Sequence, residues 1–289
     1  MATRSEGVED AMRKLVPLAL LLATAAVGAG AEDFVLPAFA WHLPGSADNR
    51  WTSEVYVTNP TSVPASLTVG APILGRQKLI HACLPPTVTV PIEPLSTAVV
   101  PAFNVAVALG CPDEFVGGLI LQADEWLVIN SRMTNERGAG GDDPQGLLTG
   151  FGQEIPGVPW DELPARGATY MLPSLLAHPN ACEARRYESA IHFANPNPAP
   201  VEVTFVGPAG AAVELVIDNA LVTTPKSFTL AAQAWVQVKL RVPDSMLTVC
   251  GVPTSFDVFF QVSDRTGVMA SVVDRTTQDP RTVMPVLVR

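Results

Sequence analysis

The stretch Trp51-Thr-Ser53-Glu-Val55-Tyr-Val57-Thr-Asn59-Pro60-Thr-Ser-Val-Pro64-Ala-Ser-Leu67-Thr68-Val69 is written twice in this chain. It returns 136 positions later as Tyr187-Glu-Ser189-Ala-Ile191-His-Phe193-Ala-Asn195-Pro196-Asn-Pro-Ala-Pro200-Val-Glu-Val203-Thr204-Phe205. Both copies alternate apolar and polar residues, turn at Asn-Pro and alternate again, the pattern of two antiparallel strands with a short connection. Successive strand side chains point to opposite faces, so Trp51, Ser53, Val55 and Val57 share one face. Tyr187, Ser189, Ile191 and Phe193 share the matching face of the second copy. The larger side chains take that parity both times, which makes it the expected core face.

Working outward, the same offset holds without a gap from residue 34 to residue 69, with identities at Leu36/Leu172, Pro37/Pro173, His42/His178, Arg50/Arg186, Ser53/Ser189, Asn59/Asn195, Pro60/Pro196, Pro64/Pro200 and Thr68/Thr204. Residues 87–90 and 96–103 match 227–230 and 235–242 as further strands. Each copy closes with a hairpin, 115–122 with 126–134 and 256–262 with 268–277. Allowing three extra residues in the second hairpin turn sets Arg132-Met-Thr134 over Arg275-Thr-Thr277. Residues 151–156 resume a strand that 282–285 repeat, and 156–167, mixing Pro, Gly and charges, read as a linker. Pro37, Pro173, Pro60 and Pro196 are expected at edges and turns, where a missing N–H does no harm.

The rest of the composition agrees with many short strands. The 289 residues are 48% apolar and 16% charged, and 27 Pro and 21 Gly punctuate the apolar runs. No stretch after the leader keeps a helical period. The expected fold is therefore all-β: two tandem antiparallel β-sandwich domains related by internal duplication, residues 32–160 and 161–289, behind a helical signal peptide at 1–31.

That leader has Arg13 and Lys14 before an apolar run from 15 to 27, then Ala29-Gly30-Ala31, so the mature chain is expected to start at Glu32. The acidic Glu6, Glu9 and Asp10 are foreign to a leader, and a start at Met12 is the expected alternative. The expected location is secreted, extracellular or periplasmic. Cys83, Cys111, Cys182 and Cys250 are then disulfide candidates, with pairing inside each repeat favoured. A net charge of −10 repels phosphate backbones and anionic headgroups, which argues against nucleic-acid partners and against membrane binding after signal cleavage.

With these residues in hand, the chain resembles the immunoglobulin-like or fibronectin type III-like modules of bacterial exported proteins. The resemblance rests on the Trp51/Tyr187-x-Ser-x-Val/Ile stretch running into Asn-Pro, and on the late Arg-x-Thr strand. It implies a spacer, adhesive or partner-binding role.

Candidates for chemistry are few. There is no Gly-x-Ser-x-Gly turn for an activated serine. Of the histidines, His42 and His178 occupy matching places and are possible ligand contacts, His81 has no counterpart, and His192 is expected to face solvent. Asp124-Glu125 at a hairpin tip is the carboxylate pair for a hydrolase reading. Asp142 and Asp143, in a Gly-rich excursion at 135–150, are weak calcium candidates, since the alternating acids of a dedicated loop are missing. Arg132 and Arg275 are expected either to pair with an acid on a neighbouring strand or to form a repeated ligand contact. Tyr56, Trp126 and Trp160 are the aromatics a carbohydrate-binding face would use. The expectation is a non-catalytic exported structural or interaction protein with a protein or glycan partner and no cofactor or metal. A carbohydrate-binding module and a hydrolase are the alternatives.

Overall fold

In the computed structural model of the chain, the described residues are 32–44, 50–75, 88–101, 104–105, 114–136, 152–177, 187–206, 214–217, 220–221, 226–242, 254–274 and 279–288. They form an all-β fold of several sheets, antiparallel but for one short parallel pair. The first half contributes β1 (Glu32–Trp41), β2 (Leu43–Pro44), β3 (Arg50–Asn59), β4 (Ala65–Gly75), β5 (Val88–Ile92), β6 (Ser96–Val100), β7 (Phe115–Ala123), β8 (Val128–Glu136), β9 (Gly152–Pro156) and β10 (Val158–Pro159). The second contributes β11 (Tyr170–Ala177), β12 (Tyr187–Ala194), β13 (Val201–Val206), β14 (Glu214–Ile217), β15 (Ala220–Leu221), β16 (Ser227–Leu230), β17 (Ala234–Arg241), β18 (Thr254–Val262), β19 (Gly267–Asp274), β20 (Asp279–Val283) and β21 (Val286–Leu287).

The strands pair in one order twice. In the first half β5-β4-β7-β1-β10 lie side by side and β6-β3-β8-β9 form the facing layer, with β2 against the start of β3. In the second half the same places are taken by β16-β13-β18-β11-β21 and β17-β12-β19-β20. Each half buries its own core between its layers, in a sandwich-like arrangement. Leu36, Phe39, Leu67 and Leu121 meet Val55, Val57 and Ile129 in the first; Leu172, Leu175, Val203 and Phe260 meet Ile191, Phe193 and Val238 in the second. Each such side chain contributes about 1.5–3 kcal/mol through the area it removes from water. The parity expected for β3 and β12 is the observed one for Val55, Val57, Ile191 and Phe193, whereas Trp51 and Tyr187 are half-buried.

Local details recur as well. The first strand of each half carries a bulge, between Leu36 and Phe39 and between Leu172 and Leu175. Pro37 and Pro173 sit inside these bulges, and the strands on the other side, β10 and β21, pair only with Phe34–Val35 and Tyr170–Met171. A bulge next to an unpaired stretch of strand is where a missing N–H does least harm. Across from each bulge, Ser53 Oγ accepts from the Ala40 amide at 2.9 Å, and Ser189 Oγ accepts from the Leu176 amide at 3.1 Å. Asn59 ends β3 and clamps the Asn-Pro turn: Nδ2 donates to the Val63 carbonyl at 2.7 Å while Oδ1 accepts from the Thr61 amide at 2.9 Å. Asn195 does the same to Ala199 and Asn197, both at 2.9 Å. Buried amides so fully engaged hold a turn that an alanine would leave with unpaired backbone groups.

One expected correspondence is corrected. β7 ends at Ala123 and β8 begins at Val128, while β18 ends at Val262 and β19 begins at Gly267, so the two hairpin turns have equal length and no insertion. Glu54 stands opposite Arg132, and its counterpart Ala190 stands opposite Ser271. Ser271, not Arg275, therefore takes the place of Arg132. Matching the Arg-x-Thr letters misled, because turn length sets the register.

The halves are joined rather than strung on a loose linker. β4 pairs in parallel with β17, Leu74 beside Ala234 and Gly75 beside Trp235, which fuses one layer of each half into an eleven-stranded sheet. The segment 156–167 is docked: β10 pairs with β1, Leu163 is buried, and Arg265 Nη1 donates to the Trp160 carbonyl.

Candidate functional site

β1 carries no polar side chain from Phe34 to Trp41, and all eight residues are buried. One face fills the first core; the other, Val35 and Ala38, presses on β12 and β19. The contact is close. A Cβ on Gly118 of β7 would come to 2.8 Å from the Leu36 carbonyl and 3.1 Å from Ala194, and one on Gly267 of β19 to 2.7 Å from Val35. Trp235 closes the seam, its Nε1 donating to the Pro37 carbonyl at 2.9 Å.

Where the seam parts, a cleft of about 180 Å³ opens between β1, β9 and the β17-β12-β19 face. Trp51, Met133 and Gln153 line it from the first half, His192, Trp235 and Met269 from the second. His192 is flanked in register by Met269 and Gln237 and lies with its ring 5.3 Å from that of Trp235. Its Nε2 is 3.1 Å from Ser271 Oγ. Burial pushes the imidazole pKa down from 6.5 to about 4, so it is neutral at pH 7. His192 Nδ1 and Gln153 Nε2 are buried without a hydrogen-bond partner, although the two residues are only 8% and 4% exposed. His192 thus corrects the expectation of a solvated imidazole. It does face away from its own core, but the other half covers that face.

The other singled-out residues lie elsewhere. His42, with φ 47°, follows β1 and stacks on Trp41 with ring centroids 3.8 Å apart. Arg132 is exposed on β8, in register between Glu54 and Glu154, while the Tyr56 hydroxyl donates to Glu54 at 2.8 Å. Asp124 is committed to tying the β7–β8 turn to β4: its carboxylate accepts from the Ser66 hydroxyl at 2.5 Å and amide at 2.7 Å, which lowers its pKa below the ordinary value. Trp126 is 50% exposed beside that turn, and Tyr56 and Trp160 are half-buried on other elements. His81, His178, Arg275, Asp142, Asp143 and the four cysteines lie outside the described residues, as do the leader and the 137–150 part of the excursion.

Sequence reasoning passed over Gln153, Trp235, Met133 and Met269. Two signals pointed there: the unbroken apolar run of β1, typical of a strand buried on both faces, and Gly117-Gly118 inside β7. No protein-family model, curated protein or solved structure matches this chain.

Proposed function

We propose that this is an exported, non-catalytic protein of two immunoglobulin-like or fibronectin type III-like modules, residues 32–160 and 161–289, descended from one by duplication. Its work is done by contact with a protein or glycan partner. The observation that carries the reading is the recurrence of structural hydrogen bonds at matching places, Ser53 with Ser189 and Asn59 with Asn195. The polar residues that both halves keep at those places are spent on holding strands and turns, while the connecting segments differ in sequence between the halves, which suits them to carry the contacts. The leader at 1–31 and the acidic charge support export and a partner other than nucleic acid.

The test uses the mature chain, 32–289, in three assays: a glycan array, partner capture from the extracellular fraction of the source cells, and a turnover screen on polysaccharide and peptide substrates. The reading predicts a specific retained partner and no turnover. Turnover that Asp124→Asn abolishes without unfolding the chain would replace it with the hydrolase reading.

A further inference from the structure

We propose that copies of this chain associate head to tail, the β11-β21 face of one copy docking on the β6-β3-β8 face of the next as the two halves of each chain already dock on one another. The occupant of that face is a second copy of the chain, so the contact is separate from the protein or glycan partner and does not depend on it.

The junction inside the chain shows which surfaces are needed. On its covering side Val35 of β1 stands opposite Val158 of β10, and both share an apolar cluster with Trp160 and with Ala194 and Trp235 of the second half. The second half repeats that register: Met171 of β11 stands opposite Val286 of β21, and Val288 follows Val286 by two residues as Trp160 follows Val158. Here, however, Val286 and Val288 are exposed and Met171 is half-buried. On the receiving side of the junction Ala194 pairs with Trp235 and Gly267. The matching residue of the first half, Thr58, pairs with Thr97 and Val128. Val128 is exposed, and so is Val99, which shares a strand face with Thr97. Trp126, exposed as well, takes the place in the β7–β8 turn that Arg265 takes where it reaches the Trp160 carbonyl.

Five of the nine exposed large apolar side chains among the described residues therefore fall on the two surfaces that a second junction would use. The Thr58 and Thr97 hydroxyls bond each other at 2.9 Å, so covering them costs less than covering two free hydroxyls. Farther along, Ser174 replaces Ala38, and Tyr56 and Asn130 replace His192 and Met269. That end is polar, so copies meet more weakly than halves do. The two surfaces are unlike, so each pair of copies leaves one of each kind open and the association continues.

The mature chain is followed by sedimentation equilibrium over a concentration series reaching about 1 mM, at an ionic strength of about 0.15 M to screen repulsion between acidic copies. The mass is expected to climb past two chains without a plateau. Val128→Lys and Val286→Lys alter one surface each at exposed positions. Each alone is expected to weaken association about tenfold or more, because a lysine enclosed in an apolar contact has no partner. Mixed, each variant supplies the surface that the other lacks, so the mixture is expected to form two-chain particles where the parent associates and to stop there. Val99→Lys and Val288→Lys are the second pair should either variant fail to fold. Four results would overturn the proposal: a parent that stays at one chain throughout, a plateau at two chains, a surface variant that associates like the parent, or a mixture that associates no better than its components.

Discussion

β3 and β12 occupy the same place in their halves and carry the same core residues, yet their outer faces live in different surroundings. Glu54, Tyr56 and Thr58 on β3 are only half-buried, whereas Ala190, His192 and Ala194 on β12 are buried. The cause lies in the partner layer. β1 of the first half presents Val35 and Ala38 to β12, while the corresponding Met171 and Ser174 of β11 are half-buried and exposed. Two sandwich-like units with one strand order thus meet through unlike faces, so the contact cannot repeat symmetrically. Such head-to-tail contacts tend to propagate, and here the face of β3 that matches the covered face of β12 carries Glu54, Tyr56 and Thr58 instead.

Matched substitutions break the comparison at its strongest point. Ala194→Glu places a charge where Val35, Gly118 and Gly267 leave no room, and a loss on the order of 5 kcal/mol is expected in chemical denaturation. Thr58→Glu at the matching position of β3 should cost less than about 0.5 kcal/mol. Next is Trp235→Ala, which removes both a buried ring and its bond to the Pro37 carbonyl. A loss of about 3–5 kcal/mol is expected. Thr97→Ala, its counterpart on β6, should change little.

Acid sharpens the contrast. The His192 pKa is about 4 in the fold and 6.5 outside it. Below pH 6.5 the unfolded chain takes up a proton that the folded chain refuses. Its contribution is whole above pH 6.5 and falls by about 3 kcal/mol on the way down to pH 4. His192→Gln should remove that slope. Asp124, whose pKa is lowered by Ser66, loses its own contribution only below the ordinary carboxylate value, in a separate window. Smallest are Ser53→Ala and Ser189→Ala, each expected to cost about 1 kcal/mol because the matching strand amide loses its acceptor, with Ser189 also giving up its bond to the Leu176 carbonyl. Unequal costs would mean that the shared scaffold is less alike than its hydrogen bonds.

Much of the scaffold was legible in the residues. Period-2 alternation placed Val55, Val57, Ile191 and Phe193 inward, and the Asn-Pro pairs marked the turns, because both signals are local. The seam was less legible, since alternation reports which side of a strand is apolar and not what later covers the other side. Ala190 and Ala194 are compatible with either solvent or a close neighbour. The signals that set the halves apart are the apolar run of β1 and Gly117-Gly118 in β7, and neither says what covers β12. Turn length, invisible to residue matching, decided the fate of the Arg132 and Arg275 pairing. The cleft draws Gln153 and His192 from strands 39 positions apart, a proximity created by the seam itself.

Histidine acylation measures the seam most directly. The Tyr56→His variant of the mature chain, treated under native conditions with diethyl pyrocarbonate and read by mass spectrometry, carries one imidazole at each matching position. The histidine introduced at position 56 is expected to be acylated readily while His192 stays unmodified until the chain unfolds. Equal labelling of the two in the folded protein would contradict a β12 face buried against β1.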